Sequence, residues 1–250
     1  MINLKTTREL RYMRDAGKIS QEALLKAGEA VRPGVSTLEL DKIVRRTIEK
    51  AGAVPSFLGY GGFPASACIS VNNVVIHGIP SAHEILKGGD IVSIDVGAIY
   101  EGFNGDNAWT FPCGKVSEEA QKLMDATRES LFLAIEKAVP GNRIGDIGSA
   151  VQQYVEARNY SVVREFVGHG VGAKLHEDPS VPNYGTPGRG VRLLPGMTIA
   201  IEPMVTQGSC EVKILKGGWT TVTKDGKLAA HFEHSIAITP DGPVILTSLD

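Results

Sequence analysis

A gapless internal repeat constrains this chain more than any other feature. Displacing the sequence along itself by 107 positions brings Leu24 onto Leu131, Ala27 onto Ala134, Pro33-Gly34 onto Pro140-Gly141, Val44 onto Val151 and Glu49 onto Glu156. At the same offset Gly89 meets Gly196, Ile94 meets Ile201, and Asp95 meets Glu202. A period this long is one whole structural unit copied, so the chain should fold as two related halves around an approximate twofold axis.

The local signals agree between the halves. Thr6-Thr7-Arg8-Glu9 is a capping box, followed by apolar positions at Leu10, Met13, Leu24, Ala27 and Val31, and Pro33-Gly34 ends that helix. Ser36-Thr37-Leu38-Glu39 is a second capping box, opening a helix with Leu40, Ile43, Val44, Ile48 and Ala51 on one face. The second half starts at Ser117, with Leu123, Met124, Leu131, Ala134, Ile135 and Ala138 on a helix that Pro140-Gly141 closes. A shorter helix carries Ile147, Val151, Tyr154 and Val155. Strands follow the helices in each half, expected at 67–76 and 91–96, then at 162–167 and 198–201. Helices first and strands later, twice, predict an α+β fold: one antiparallel sheet with helices on one face. No linker composition separates the halves, roughly 6–110 and 117–240, so 1–250 is expected to be a single domain.

Composition narrows the function. With 26 Lys and Arg against 28 Asp and Glu, the net charge is −2, and no basic block points to nucleic acid; DNA is not an expected partner. No run of apolar residues is long enough to span a bilayer, and the first residues lack the apolar core of a secretion signal. Cys68, Cys113 and Cys210 are odd in number and far apart, which fits a reducing cytoplasm better than a disulfide framework or a cysteine zinc site.

Carboxylates in apolar strands carry the chemistry. Asp95 lies in Asp90-Ile-Val-Ser-Ile-Asp-Val-Gly97, and Asp106 follows the turn-rich segment 100–105, so a hairpin should bring the two together. Glu202 stands at the repeat position of Asp95, and Glu233 lies in the apolar segment 231–238. A lone carboxylate in a strand is ordinarily solvated or ion-paired. Four of them buried together would repel one another and titrate upward, and no matching set of lysines or arginines lies in those strands. A pair of divalent cations resolves the conflict, with His169, between the glycines of Gly168-His-Gly-Val-Gly172, as an added imidazole donor.

Other residues are less decided by sequence. His77 and His176 are open between structural and site roles, His231 shares the parity of Glu233, and His234 should point to the other face. Cys68 and Trp219 read as core. Gly59-Tyr-Gly-Gly-Phe63 is either a plain turn or an aromatic wall of a pocket, and the Gly- and Pro-rich segment 172–196 is expected to be a long loop bordering the site.

Taken together, Asp95, Asp106, His169, Glu202 and Glu233 resemble, in order and context, the five metal ligands of the methionine aminopeptidases. The segments 68–80, Ile94-Asp-Val-Gly97, Gly102-Phe-Asn-Gly-Asp106, Gly168-His-Gly-Val-Gly172 and Ile201-Glu-Pro203 carry the likeness. Only 30 residues lie between Glu202 and Glu233, which leaves no room for the helical insertion of type II enzymes and so resembles type I. The resemblance implies the pita-bread fold shared with prolidase, aminopeptidase P and creatinase. It implies two divalent ions (Mn, Fe, Co or Zn), with Asp106 and Glu233 bridging them, Asp95 chelating one, and His169 and Glu202 completing the other. It implies removal of initiator methionine from nascent chains whose second residue is small, by hydroxide attack on the first peptide bond. Glu202 would assist proton transfer, His176 would stabilise the oxyanion and His77 would contact the substrate. Tyr60, Phe63, Cys68, Leu175, His77 and Trp219 would line the methionine pocket, Leu175 standing where many relatives carry an aromatic. A cytoplasmic monomer with nascent N-termini as partner, and the ribosome as a further contact, completes the expectation. An X-Pro hydrolase of the same fold, or a non-catalytic protein that recognises peptide termini, are the competing readings. Members of the last kind have usually lost ligands, whereas all five are present here.

Overall fold

In a computed structural model of the chain, which describes residues 2–249, four α-helices cover one large antiparallel sheet. The helices are α1 (Thr7–Glu29), α2 (Thr37–Lys50), α3 (Glu118–Glu136) and α4 (Ile144–Glu156). The 107-residue offset survives in them: α1 and α3 end at Glu29 and Glu136, and α2 and α4 begin at Thr37 and Ile144. Both expected capping boxes form, Thr6 with Glu9 and Ser36 with Glu39, each cap contributing about 1 kcal/mol to its helix.

The main sheet has nine strands: β1 (Val54–Pro55), β2 (Ala67–Val71), β3 (Ile91–Tyr100), β4 (Phe103–Pro112), β5 (Gly168–Gly170), β6 (Glu177–Val181), β7 (Thr198–Ile201), β8 (Glu233–Thr239) and β9 (Gly242–Ile245). Their order is β1-β3-β4-β8-β7-β5-β6, with β2 also on β3 and β9 also on β8. The hairpin β3-β4 from the first half thus lies against β8-β7 from the second, joined by the pairs Glu233–Ala108 and His234–Asn107. Alternation then separates two faces. Ile94, Val96, Trp109, Phe111, Ile199, Ile201, Ile236 and Ile238 pack under the helices. Asp95, Asp106, Glu202 and Glu233 have the opposite parity and share the other face. Each half builds its own core, α1 and α2 over β2 and β3, α3 and α4 over β7 and β8, with Trp109 packed against both.

Some expected boundaries move. The segment 67–76 is two strands, because Asn72 adopts a φ of 55° and turns the chain so that Val74–Ile76 joins a separate three-stranded sheet. The segment 231–238 is broken at Phe232: Ala229–His231 pairs with Met204–Thr206, while Glu233 opens β8. The strand at 162–167 is reduced to Ser161–Val162. The hairpin reversal is only Glu101-Gly102, both at positive φ as a two-residue type I′ turn requires, so β4 resumes at Phe103 rather than at Asp106. The segment 172–196 is not one loop: β6 runs through it, and from Gly185 to Arg189 its backbone docks on α4 through Gln152, Asp146 and Gly145.

Helix α1 lies close over β4. A Cβ at Gly105 would overlap the backbone of Gly17 and Ala16. Gly105→Val should therefore cost about 3 kcal/mol or more, read as a fall in the urea midpoint at unchanged slope. A midpoint within error of the parent would show that α1 is not seated on this strand.

Candidate metal centre

The β3-β4 register explains how two aspartates meet. Asp106 pairs with Gly97 and Asp95 with Ala108, so the carboxylates are diagonal neighbours on one face and not directly opposed. Gly97 opposite Asp106 adds no side chain to that face. Across the seam, Glu233 pairs with Ala108, again a small partner, and Glu202 follows the end of β7. Small residues opposite Asp95, Asp106 and Glu233 leave the face hollow where the carboxylates converge.

His169, in the three-residue strand β5, faces them. Ligand atoms of Asp106, His169 and Glu233 lie within 4.8 Å of one another. The His169 Nε2 is 3.7 Å from Asp106 Oδ2 and 3.6 Å from Glu202 Oε1. Its Nδ1 lies 2.8 Å from the Gly170 carbonyl, so that nitrogen carries the proton and Nε2 turns a lone pair toward the acids. Asp95 lines the same cavity but is not among the three closest groups.

The electrostatics are severe. Among the described residues, no Lys or Arg lies within 4.0 Å of these four carboxylates; the only basic side chains that close are imidazoles. Burial pushes Asp106 up to about 7. Burial first, then the neighbouring carboxylates, holds Asp95, Glu202 and Glu233 well above their ordinary range. Burial lowers His169 to about 4 and His231 to about 3, so both imidazoles are neutral at pH 7. Asp95 Oδ1, Asp106 Oδ1, Glu233 Oε1 and His231 Nε2 are buried with no hydrogen-bond partner among the described residues. Orphaned acceptors of this kind cost roughly 1–3 kcal/mol each, more if charged. A divalent cation removes that cost, and hard oxygen donors with one oriented neutral imidazole are a donor set such cations accept. The residues fit a metal centre.

Around it lies a cavity of about 140 Å³, walled by Phe57, Tyr60, Phe63, Cys68, His77, Leu175, His176 and Trp219 together with the five acid and imidazole residues. Cys68 sits opposite Asp95 on β2, and burial, then that charge, pushes its thiol well above the ordinary value, so it is a wall and not a thiolate nucleophile. Phe63 and Trp219 meet edge to face at 5.2 Å. Tyr60 and Phe63 flank a short turn in which Gly61 and Gly62 both have positive φ, which makes the Gly59–Phe63 segment a cavity wall as well as a turn. His77 holds a φ of 58°, a left-handed backbone that is costly for a non-glycine residue and common where a side chain must be aimed. Its ring stands edge to face against Phe166 and Trp219, and burial lowers it to about 4. His176 packs 4.2 Å from the His169 ring and has its Nδ1 2.7 Å from the Tyr60 hydroxyl.

His234 faces away, bonded to Thr247 through Nδ1 and packed near Trp109 and Phe132. His231 lies beside the centre, 3.7 Å from Glu202 and 4.0 Å from Glu233, but not on the cavity wall. Sequence reasoning missed Phe57 and Phe166. Phe57 stands two residues before the Gly59–Phe63 turn, and grouping it with those aromatics was the available signal. Phe166 gave none, since only the tertiary fold brings it to His77.

A model of metallopeptidase family M24 matches residues 11–240. A methionine aminopeptidase of Clostridium perfringens is 59% identical over 247 residues, 99% of each chain, and methionine aminopeptidase 1 of Bacillus subtilis is 54% identical with the same coverage. The crystal structure of methionine aminopeptidase from Thermotoga maritima superposes with a TM-score of 0.98 at 46% identity, over 99% of this chain and 100% of that one. Prolidase from Pyrococcus furiosus shares the pita-bread fold at a TM-score of 0.78 and 23% identity, over 99% of this chain and 66% of that one.

Proposed function

Because the chain belongs to metallopeptidase family M24, we infer that it is a metal-dependent aminopeptidase that removes N-terminal methionine from nascent proteins with a small second residue. One observation carries this reading: two buried carboxylates, Asp106 and Glu233, two half-buried ones, Asp95 and Glu202, and a lone pair of His169 converge at the base of an apolar, aromatic-walled cavity. The two halves act as one catalytic domain, since each supplies two of the four acids.

Asp95, Asp106, His169, Glu202 and Glu233 would hold two divalent ions, Mn, Fe, Co or Zn. When bound, such ions supply a hydroxide near neutral pH and polarise the scissile carbonyl. The protein's own groups do the rest. The methionine side chain lies against Phe63, Cys68, Leu175 and Trp219, with Tyr60 and His77 at the edge of the same space. Glu202, whose carboxyl is raised by burial and by the neighbouring acids, would assist proton transfer at the scissile bond. His176 is lowered by burial and therefore neutral. If its Nδ1 accepts from the Tyr60 hydroxyl, its proton sits on Nε2, where it can donate to a developing oxyanion. A narrow neighbouring site beside His77 and His176 would admit only a small second residue. Among the described residues, no helix is long and apolar enough to cross a membrane. We place the reaction in the cytoplasm, on nascent chains, by a monomer that meets the ribosome.

Chelator-stripped protein should not cleave Met-Ala-Ser, Met-Leu-Ser or Ala-Pro peptides; added Mn or Co should restore methionine release from the first alone. Cleavage of the Ala-Pro peptide would move the function to an X-Pro hydrolase. Tight metal binding with no hydrolysis of any of the three would leave a non-catalytic binder of peptide termini.

A further inference from the structure

Away from the metal centre, one charged pair is buried with its charges matched: Lys5 Nζ lies 2.6 Å from Glu177 Oε2, and their side chains are 5% and 9% exposed. Buried ion pairs contribute little net stability, because desolvation offsets the attraction. What such a pair fixes is geometry. Glu177 directly follows His176, and its second oxygen, Oε1, accepts from the Lys174 backbone N–H at 3.1 Å. The carboxylate thus closes residues 174–177 from both ends around Leu175 and His176.

The pair is itself anchored. Lys5 N–H donates to the Gly196 carbonyl at 2.7 Å, and the ammonium also reaches the Asn3 carbonyl at 3.2 Å. On the other side of the segment, Asn104 of β4 holds the carbonyls of Gly172 and Ala173 through its Nδ2, while its Oδ1 takes the Ser56 hydroxyl. Position 172 must be glycine for this arrangement: a Cβ there would sit 2.6 Å from Glu177 Oε1 and 2.7 Å from Lys5 Nζ. Leu175 and His176 therefore project into the cavity between two fixed points, Asn104 before them and Lys5–Glu177 after them.

We propose that the Lys5–Glu177 pair is a clamp through which the segment preceding α1 positions His176 and Leu175 for the reaction. The proposal rests on His176 acting on the substrate. Lys5 touches neither substrate nor metal donors and is a positioning residue. Without it, Glu177 is left as a buried charge that must draw in water or a proton, and the Lys174 bond and the 174–177 turn relax with it. Displacing a reacting group by about 1 Å costs on the order of 10²-fold in rate.

The test is a double-mutant cycle on the metal-loaded full chain with Met-Ala-Ser. Lys5→Met should lower kcat by roughly 10–100-fold with KM much less changed. In a His176→Ala background, itself slow, the same substitution should cost almost nothing more, since both act through one group. Hydrogen exchange of the amides at 173–176 should quicken in Lys5→Met while those of β4 stay protected. Lys26→Met, which breaks an exposed pair with Glu22 on α1, should leave kcat unaltered. Should Lys5→Met fail to fold, Glu177→Gln, which keeps the Lys174 acceptor and the volume, enters the same cycle. An equal loss in both backgrounds would make the pair merely structural and overturn the clamp, as would normal kcat in Lys5→Met beside a slow His176→Ala. Normal kcat in His176→Ala would instead overturn the reading of the site, and the clamp with it.

Discussion

Asp106→Ala will lower kcat for Met-Ala-Ser by ~10⁴-fold or more, an effect the size of losing a central catalytic group. Asp106 is 4% exposed, stands on β4 beside the seam between the halves, and has a ligand oxygen within 4.8 Å of those of both His169 and Glu233. Its backbone does not depend on its side chain: its N–H donates to the Ser235 hydroxyl at 3.2 Å, and that hydroxyl donates back to its carbonyl at 2.8 Å. The variant should therefore fold with β4 and β8 in register. What it loses is a donor oxygen between the two halves of the sheet, so bound metal should fall as well, read by elemental analysis after gel filtration. The control is Asp90→Ala on the same hairpin: Asp90 only accepts from Asn72 and the Lys87 backbone, and its loss should leave turnover near normal. Near-normal turnover in Asp106→Ala would remove this carboxylate, and the two-ion reading, from the mechanism.

Much of this arrangement is legible in the sequence alone. The repeat predicts paired halves because a duplicated unit keeps its core faces, and in the first half the capping boxes Thr6–Glu9 and Ser36–Glu39 both form. Asp95 and Asp106 could be put on one face because a period of two is insensitive to an error of two in register. The real turn is four residues shorter than expected, yet the face is the same. What escaped were features set by single dihedrals or by distant partners. Asn72 at φ 55° splits one expected strand into two sheets, and nothing in an Asn-Asn pair distinguishes a kink from a strand end. Phe232 interrupts another strand, within the segment 231–238, and no turn residue marks the break. Lys5 and Glu177 are 172 positions apart and look, in sequence, like two solvated charges. Pairing of that kind is a property of the closed fold.

The chelator-stripped protein will lose thermal stability as pH rises from about 6.5 to about 8.5, while the metal-loaded protein will not, so the gap in Tm between them widens. In the unfolded chain the four acids titrate near 4. In the fold Asp106 titrates at about 7, and Asp95, Glu202 and Glu233 stand well above their usual values through burial and mutual repulsion. A group whose pKa is raised on folding stabilises the fold while protonated; that contribution is complete below about pH 4 and is lost as pH climbs through the folded value. The site histidines have the opposite sign. His77 and His169 at about 4, and His231 at about 3, lie below the unfolded value of 6.5, so their contribution is present above 6.5 and fades as pH falls toward 4. Above pH 7 they are silent and the slope belongs to the carboxylates. Each such group costs the stripped protein up to about 1.4 kcal/mol per pH unit across its titration. For a chain of this size, one or two groups over that window correspond to roughly 5–10 °C in Tm. Bound cations take the place of the protons, and affinity should rise about tenfold per pH unit for every proton released. Calorimetry with and without Mn across the window reads both effects. Asp106→Asn, which removes one titrating charge and its repulsion, should flatten the slope of the stripped protein. A Tm of the stripped parent that rises with pH would mean that the acids are not held protonated, and that something other than a metal compensates them.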